Sequence, residues 1–151
     1  MSIVQTIGPW REDLTLNNDA EYFTRALLGS KKVLFCDGAR CRYRSGISGS
    51  LSGQKATQHW RSQALVIKLC AERVLAREDS DRLRRAFAKS WQHLAHACYA
   101  YEPSLAESAL AQARNLHPVR ISPDGGPAFR LLSQLIGWRA ARLLQLASGR
   151  I

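Results

Sequence analysis

The stretch Val33-Leu34-Phe35-Cys36-Asp37-Gly38-Ala39-Arg40-Cys41-Arg42-Tyr43-Arg44 is the clearest strand signal in a chain otherwise patterned for helices. Asp37-Gly38 suits a tight hairpin turn between two short apolar or alternating runs. On the second run, period-two alternation places Ala39, Cys41 and Tyr43 on one face and Arg40, Arg42 and Arg44 on the other. The reading predicts a small β-hairpin. Two strands alone are marginal in water. The hairpin therefore needs a larger sheet, and no further strand pattern exists in the 151 residues to supply one.

Upstream, Met1 to Glu12 reads as a short apolar lead into Gly8-Pro9-Trp10, which breaks regular structure and places Trp10 on a loop. A helix is predicted from about Asp19 to Leu28. Asn18 or Asp19 is its cap, Glu21 lies in the first turn where the helix dipole favours an acid, and Phe23, Ala26 and Leu27 form its buried face. Gly29-Ser30 ends it. Downstream, residues Ser45 to Gly53 form a Ser/Gly-rich loop fit for binding.

Everything after the loop is helical in pattern. One helix runs from about Gln54 to Ala76 on the stripe Trp60, Ala64, Ile67, Ala71 and Val74. A second starts near Ser80 on the stripe Leu83, Phe87, Trp91, Leu94, Cys98 and Tyr101. A third spans about Ser104 to Leu116. A last runs from Pro127 to about Ala147, and its apolar face carries Trp138, Arg139 and Arg142 nearby with no acid in the segment. Such a helix fits either an anionic membrane surface or a core contact covered by arginine stems.

Composition sets the frame. The hydrophobic fraction of 46% and charged fraction of 23% are those of a folded globular chain, which excludes wholesale disorder. A net charge of +10 predicts attraction to phosphate-bearing partners, unless the arginines only solvate helix faces. Cys36, Cys41, Cys70 and Cys98 have no C-x-x-C spacing and read as reduced, mostly buried thiols of a cytoplasmic protein. Neither a signal peptide nor a run of spanning length is expected. His93 and His96 lie three apart on a helix without companion ligands, so no metal site is predicted; His59 and His117 stand alone.

The segment Ile7 to Ser52 carries a resemblance. It reads Ile-Gly-Pro-Trp-Arg-Glu-Asp-Leu, then Leu-Asn-Asn-Asp-Ala-Glu-Tyr-Phe-Thr-Arg-Ala-Leu-Leu, then Lys-Lys-Val-Leu-Phe-Cys-Asp-Gly-Ala-Arg-Cys-Arg-Tyr-Arg, and the Ser-rich loop follows. In order and spacing it resembles the second half of the catalytic domain of family 2 glycosyltransferases, over about a third of the chain. The resemblance implies the C-terminal half of a GT-A-type α/β domain (1–52) followed by a helical extension of about four helices (53–151). It implies inverting transfer of a sugar from a nucleotide-diphosphate donor to an acceptor hydroxyl in envelope or polysaccharide synthesis. Asp19 matches the family's general base, which takes the acceptor's proton as the new bond forms; read without the resemblance, it belongs to the helix start. Trp10, Asn18, Arg44, Ser50 and Ser52 are the implied substrate contacts, with Arg44 facing the leaving diphosphate.

The departures from the family pattern are specific. Asn18 stands where relatives carry the first acid of the pair, and Tyr43 where many carry a metal-binding His. The only Asp-x-Asp, Asp79-Ser80-Asp81, sits at a helix start and not at a strand end. The nucleotide-sugar half, with its divalent Mg or Mn, is therefore expected outside this chain, on a partner or a longer product, and the chain alone is expected not to turn over. A nucleotide sugar and a glycan acceptor are the implied partners, at the inner face of the membrane with 127–147 as a peripheral contact. The rival reading is a non-catalytic basic helical module that binds nucleic acid or another partner through Arg40, Arg42, Arg44 and Arg82-Arg84-Arg85. None of the usual nucleic-acid signatures is present, which makes nucleic acid the weaker partner.

Overall fold

The computed structural model describes residues 2–42, 57–118 and 125–148, and every described element is a helix. In chain order these are α1 (Ile3–Ile7), α2 (Asn18–Gly29), α3 (Thr57–Arg77), α4 (Asp81–Cys98), α5 (Pro103–Leu116), α6 (Pro127–Ile136) and α7 (Trp138–Ala147). The mainly α class predicted from sequence is present. The hairpin is not. Residues 31–42 make no strand; Asp37 and Gly38 still turn, with the Ala39 N–H donating to the Cys36 carbonyl at 3.3 Å. Val33, Leu34 and Phe35 stay exposed, Phe35 by 93%. With no further strand among the described residues to extend a ladder, the pair cannot offset its ordering entropy. Tyr43, Arg44, Ser50 and Ser52 lie outside the described residues.

The chain divides into two compact units, residues 1–74 and 75–151. In the first unit, the expected apolar lead is the short helix α1. Ser2 and Gln5 form a reciprocal capping box: the Gln5 N–H donates to Ser2 Oγ at 3.4 Å and the Ser2 N–H to Gln5 Oε1 at 3.0 Å. Gly29 lets α1 lie against the end of α2, because a Cβ there would stand 3.1 Å from Ile3 Cδ1. Leu14, 3% exposed, anchors the segment between these helices. That segment is stitched to α3: Ser62 Oγ accepts the Leu16 N–H and donates to the Leu16 carbonyl, both at 3.1 Å.

The inner face of α2 is another correction. Phe23 and Leu27 are exposed, and the one fully buried side chain of the helix is Glu21. Glu21, Thr24, Arg25 and Leu28 share a face by their i, i+3, i+4, i+7 spacing. An apolar-stripe reading picks the wrong side because this helix turns inward on charge. Neither Asn18 nor Asp19 is the cap; Asn17 holds that place in a left-handed conformation (φ 57°, ψ 25°) without a side-chain bond, and both candidates fall in the first turn.

In the second unit α4 and α5 pair through small residues. Ala88, Trp91, Leu94, Ala95 and Cys98 of α4 are buried, as are Ala106, Ala109, Leu110 and Ala113 of α5. Alanines at the contact let the two backbones approach closely, and Leu94, at 0% exposed, contributes about 1.5–3 kcal/mol of burial. Of the predicted α4 stripe, Trp91, Leu94 and Cys98 are buried while Tyr101 is exposed. Pro103 opens α5 with a preset φ, and His117 closes it. The single terminal helix expected over 127–147 is two helices. Gly137 breaks it at φ 81° and ψ 148°, a backbone region closed to L side chains, and α7 returns against α6.

Candidate functional site

The first unit holds a buried ion cluster under an aromatic shelf. Glu21 is 0% exposed and bidentate to Arg25: Nε donates to Oε1 at 3.0 Å and Nη2 to Oε2 at 3.0 Å. Arg73 from α3 brings Nη1 to 3.0 Å from Glu21 Oε1, an ion pair set by proximity and not by an aligned N–H. A buried carboxylate requires such partners, because an unpaired one costs several kcal/mol in desolvation. Arg25 also donates to the carbonyls of Ile7 and, at 2.8 Å, of Pro9. One side chain thus fixes the path of the Gly8-Pro9-Trp10 loop. Gly8 itself sits at φ 77°, with its would-be Cβ 3.9 Å from Arg25 Nη1.

Fixing that loop places Trp10 over α2. Its ring stacks on Tyr22 with centroids 4.3 Å apart and planes within 1°, and meets Phe23 edge-on at 6.1 Å. Arg25 lies 5.2 Å from the Tyr22 centroid on the inner side. Such pairs contribute about 0.5–1.5 kcal/mol beyond burial. Trp10 nevertheless keeps 44% of its surface exposed and Phe23 keeps 56%. A locked aromatic shelf left open to solvent can receive an apolar ring face or the C–H face of a sugar.

Asn18 and Asp19 stand at the head of the same helix. Asn18 is four residues before Tyr22 and Asp19 four before Phe23, so both share the faces carrying the shelf. Both are exposed. Asp19 Oδ1 accepts the Ala20 N–H at 2.9 Å, which orients the carboxylate in the helix's first turn. Of the residues expected to act together, Asn18 and Asp19 lie in the first turn of α2 and Trp10 stacks on Tyr22 in its second turn; Arg44, Ser50 and Ser52 belong to the undescribed segment.

The basic clusters are organised differently. Arg84 is held by Asp79, Nε to Oδ1 at 2.6 Å and Nη2 to Oδ2 at 2.5 Å, and Arg82 lies 3.7 Å from Glu78. Hydrogen bonding to Arg84 pulls the Asp79 carboxyl below the usual range. Asp79 is thereby an arginine clamp at the mouth of α4. Arg40 turns back on its own loop, Nη1 donating to the Asp37 carbonyl at 2.5 Å. Among the described residues, no three His, Cys, Asp or Glu side chains converge on a point where a metal could sit. His96 is buried with its ring 4.4 Å from Trp138, and His117 Nε2 lies 3.4 Å from Asp81 Oδ1. His59 Nδ1 is 3.1 Å from Thr15 Oγ1.

No family model matches the chain, and neither a curated protein nor a solved structure matches it significantly.

Sequence reasoning missed Glu21, Arg73, Ser62 and the role of Arg25. Glu21 and Arg25 carried a signal, the i, i+4 spacing of opposite charges. Arg73 and Ser62 carried none, since their partners lie 52 and 46 residues away in sequence.

Proposed function

We propose that the first unit is the acceptor side of an inverting glycosyltransferase. Trp10 on Tyr22 is the platform for the acceptor sugar, and Asp19 takes the proton from its hydroxyl. The observation that carries this reading is the shelf itself: an exposed Trp10, stacked at 4.3 Å on a helix whose first turn presents Asn18 and Asp19 to solvent. The chemistry is consistent. A pyranose lays its C–H face on an aromatic ring, while a nearby carboxylate accepts the proton lost as the hydroxyl attacks the anomeric carbon. The nucleoside diphosphate leaves with the donor's bonding electrons, stabilised by groups outside this chain.

The choice of Trp10, Asn18 and Asp19 rests on the resemblance over Ile7 to Ser52, which implies an acceptor-side role for each of them. The nucleic-acid reading has less beneath it. Of the arginines it invokes, Arg84 is paired with Asp79 and Arg40 donates to its own turn, and none of the usual nucleic-acid signatures is present.

The test is titration of the chain with neutral oligosaccharides, followed by saturation-transfer NMR and calorimetry. Saturation is expected on sugar C–H protons, with affinity falling at least about tenfold in Trp10→Ala. Asp19→Asn is expected to bind like the parent chain. Once a nucleotide-sugar-binding polypeptide completes the enzyme, that variant is expected to lose about 10²- to 10⁴-fold in kcat. Equal sugar binding by Trp10→Ala, or no binding by either protein, overturns the reading.

A further inference from the structure

We infer that the α6–α7 hairpin docks flat on the surface of an anionic phospholipid bilayer. Its outward faces are aliphatic. Leu131 and Leu135 on α6 are 60% and 74% exposed, Ile136 is exposed beside the break, and Leu143 and Leu144 on α7 are about half exposed. Leu131 and Leu135 are one helical turn apart, and Leu143 and Leu144 are adjacent on the solvent side of α7. The buried residue of α7 is Ala141, and Trp138 faces His96 and Tyr99, with ring centroids 4.4 and 5.2 Å away. The hairpin thus fastens to its own unit through small and aromatic residues and turns its large aliphatics outward. A folded chain ordinarily does the reverse, and clustered exposed aliphatics mark an interaction surface.

Charge selects the occupant. Residues 125–148 contain Arg130, Arg139 and Arg142 and no Asp or Glu, within a chain of net charge +10. Arg139 is engaged by Glu107 at 2.5 Å and Arg142 by Gln145 at 2.9 Å, while Arg130 is exposed on the same helix as Leu131. A helix pair with no acid of its own, its aliphatic face flanked by the exposed Arg130 and by Arg139 in an ion pair with Glu107 of α5, fits a layer whose interior is hydrocarbon and whose rim is phosphate. Protein grooves also take apolar helices, yet they supply no reason for an acid-free segment. The geometry fits a surface mode of binding. No described helix is long and apolar enough to cross a membrane, and the break at Gly137 lets both short helices lie in one interfacial plane.

This inference is independent of the sugar-transfer reading, because it uses neither Trp10 nor Asp19. The full chain is sedimented with vesicles of phosphatidylcholine alone and of phosphatidylcholine with 30–40% phosphatidylglycerol (roughly the anionic content that gives a strong surface potential). Binding to the anionic vesicles is expected to be at least about tenfold tighter and to weaken with salt. Arg130→Gln is expected to reduce it about fivefold, and Leu131→Asp with Leu143→Asp to remove it. Circular dichroism of these variants should match the parent chain, since all three positions are solvent-facing. Equal binding to both vesicle types overturns the inference, as does binding to neither. So does a concentration-dependent dimer that is lost in the double variant while vesicle binding is absent.

Discussion

Replacing Glu21 by Ala is the sharpest test of how the first unit is held. The carboxylate is fully buried and serves two guanidinium groups, Arg25 at 14% exposed and Arg73 at 35%. Removing one partner of a buried ion pair costs about 3–5 kcal/mol, because the remaining charge stays desolvated. Here the lower end applies. Arg25 keeps the carbonyls of Ile7 and Pro9, and Arg73 can turn toward water. A loss of about 3 kcal/mol in a unit of 74 residues corresponds to a fall in Tm of about 12–24 °C. Urea titration followed at 222 nm reads the free energy, and a second probe, Trp10 emission, should report the shelf opening in the same transition. Arg73→Met alone is expected to cost only about 1 kcal/mol, since that side chain is a third exposed. The Glu21–Arg73 double-mutant cycle then gives a coupling below that of Glu21–Arg25. A Glu21→Ala protein within about 0.5 kcal/mol of the parent refutes the view that this cluster organises the unit.

Further perturbations probe other links. Gly137→Ala introduces a side chain into open space at φ 81°, so only backbone strain of about 1–3 kcal/mol acts, and the hairpin is expected to straighten or loosen, read as a change in helicity and in amide exchange over 127–147. Burial pushes the Cys98 thiol up to about 11, so the folded state disfavours the thiolate. Its contribution to stability is full below the unfolded thiol range near 9 and is lost as pH rises to about 11, on the order of 2–3 kcal/mol, and Cys98→Ala should flatten the alkaline limb of the stability profile. Only Cys70 and Cys98 are buried as the sequence led one to expect; Cys36 and Cys41 are exposed on the unpaired segment, so in native protein iodoacetamide at pH 8 is expected to modify those two and to spare Cys70 and Cys98, as counted by mass spectrometry.

The helices were legible where apolar spacing and end signals agreed. Pro118 lies just past the end of α5 and Ser80-Asp81 opens α4, so the span of about Ser104 to Leu116 and the start near Ser80 fall within a residue of the observed bounds. The hairpin misled because strand propensity in Val33-Leu34-Phe35 is a preference for pairing, and pairing needs a neighbour that local sequence does not display. The α2 face misled for a related reason. Apolar periodicity assumes that the inside is oil, whereas Glu21 meets Arg73 across 52 residues. Of the candidate site, Trp10, Asn18 and Asp19 could be named from sequence; that Arg25 ties down the loop beneath Trp10 could not, because its acceptors are backbone carbonyls, which every residue carries.

The bare triplet Val33-Leu34-Phe35 has a practical outcome for anyone handling this protein. Three consecutive apolar residues, each at least two-thirds solvated, form a sticky segment of the kind that zips onto a copy of itself at high concentration. Lys31 and Lys32 sit immediately before it and act as electrostatic gatekeepers, repelling a like segment so long as salt is low. Solubility should therefore decline as ionic strength rises. Concentrating the chain in dilute buffer will keep it dispersed longest.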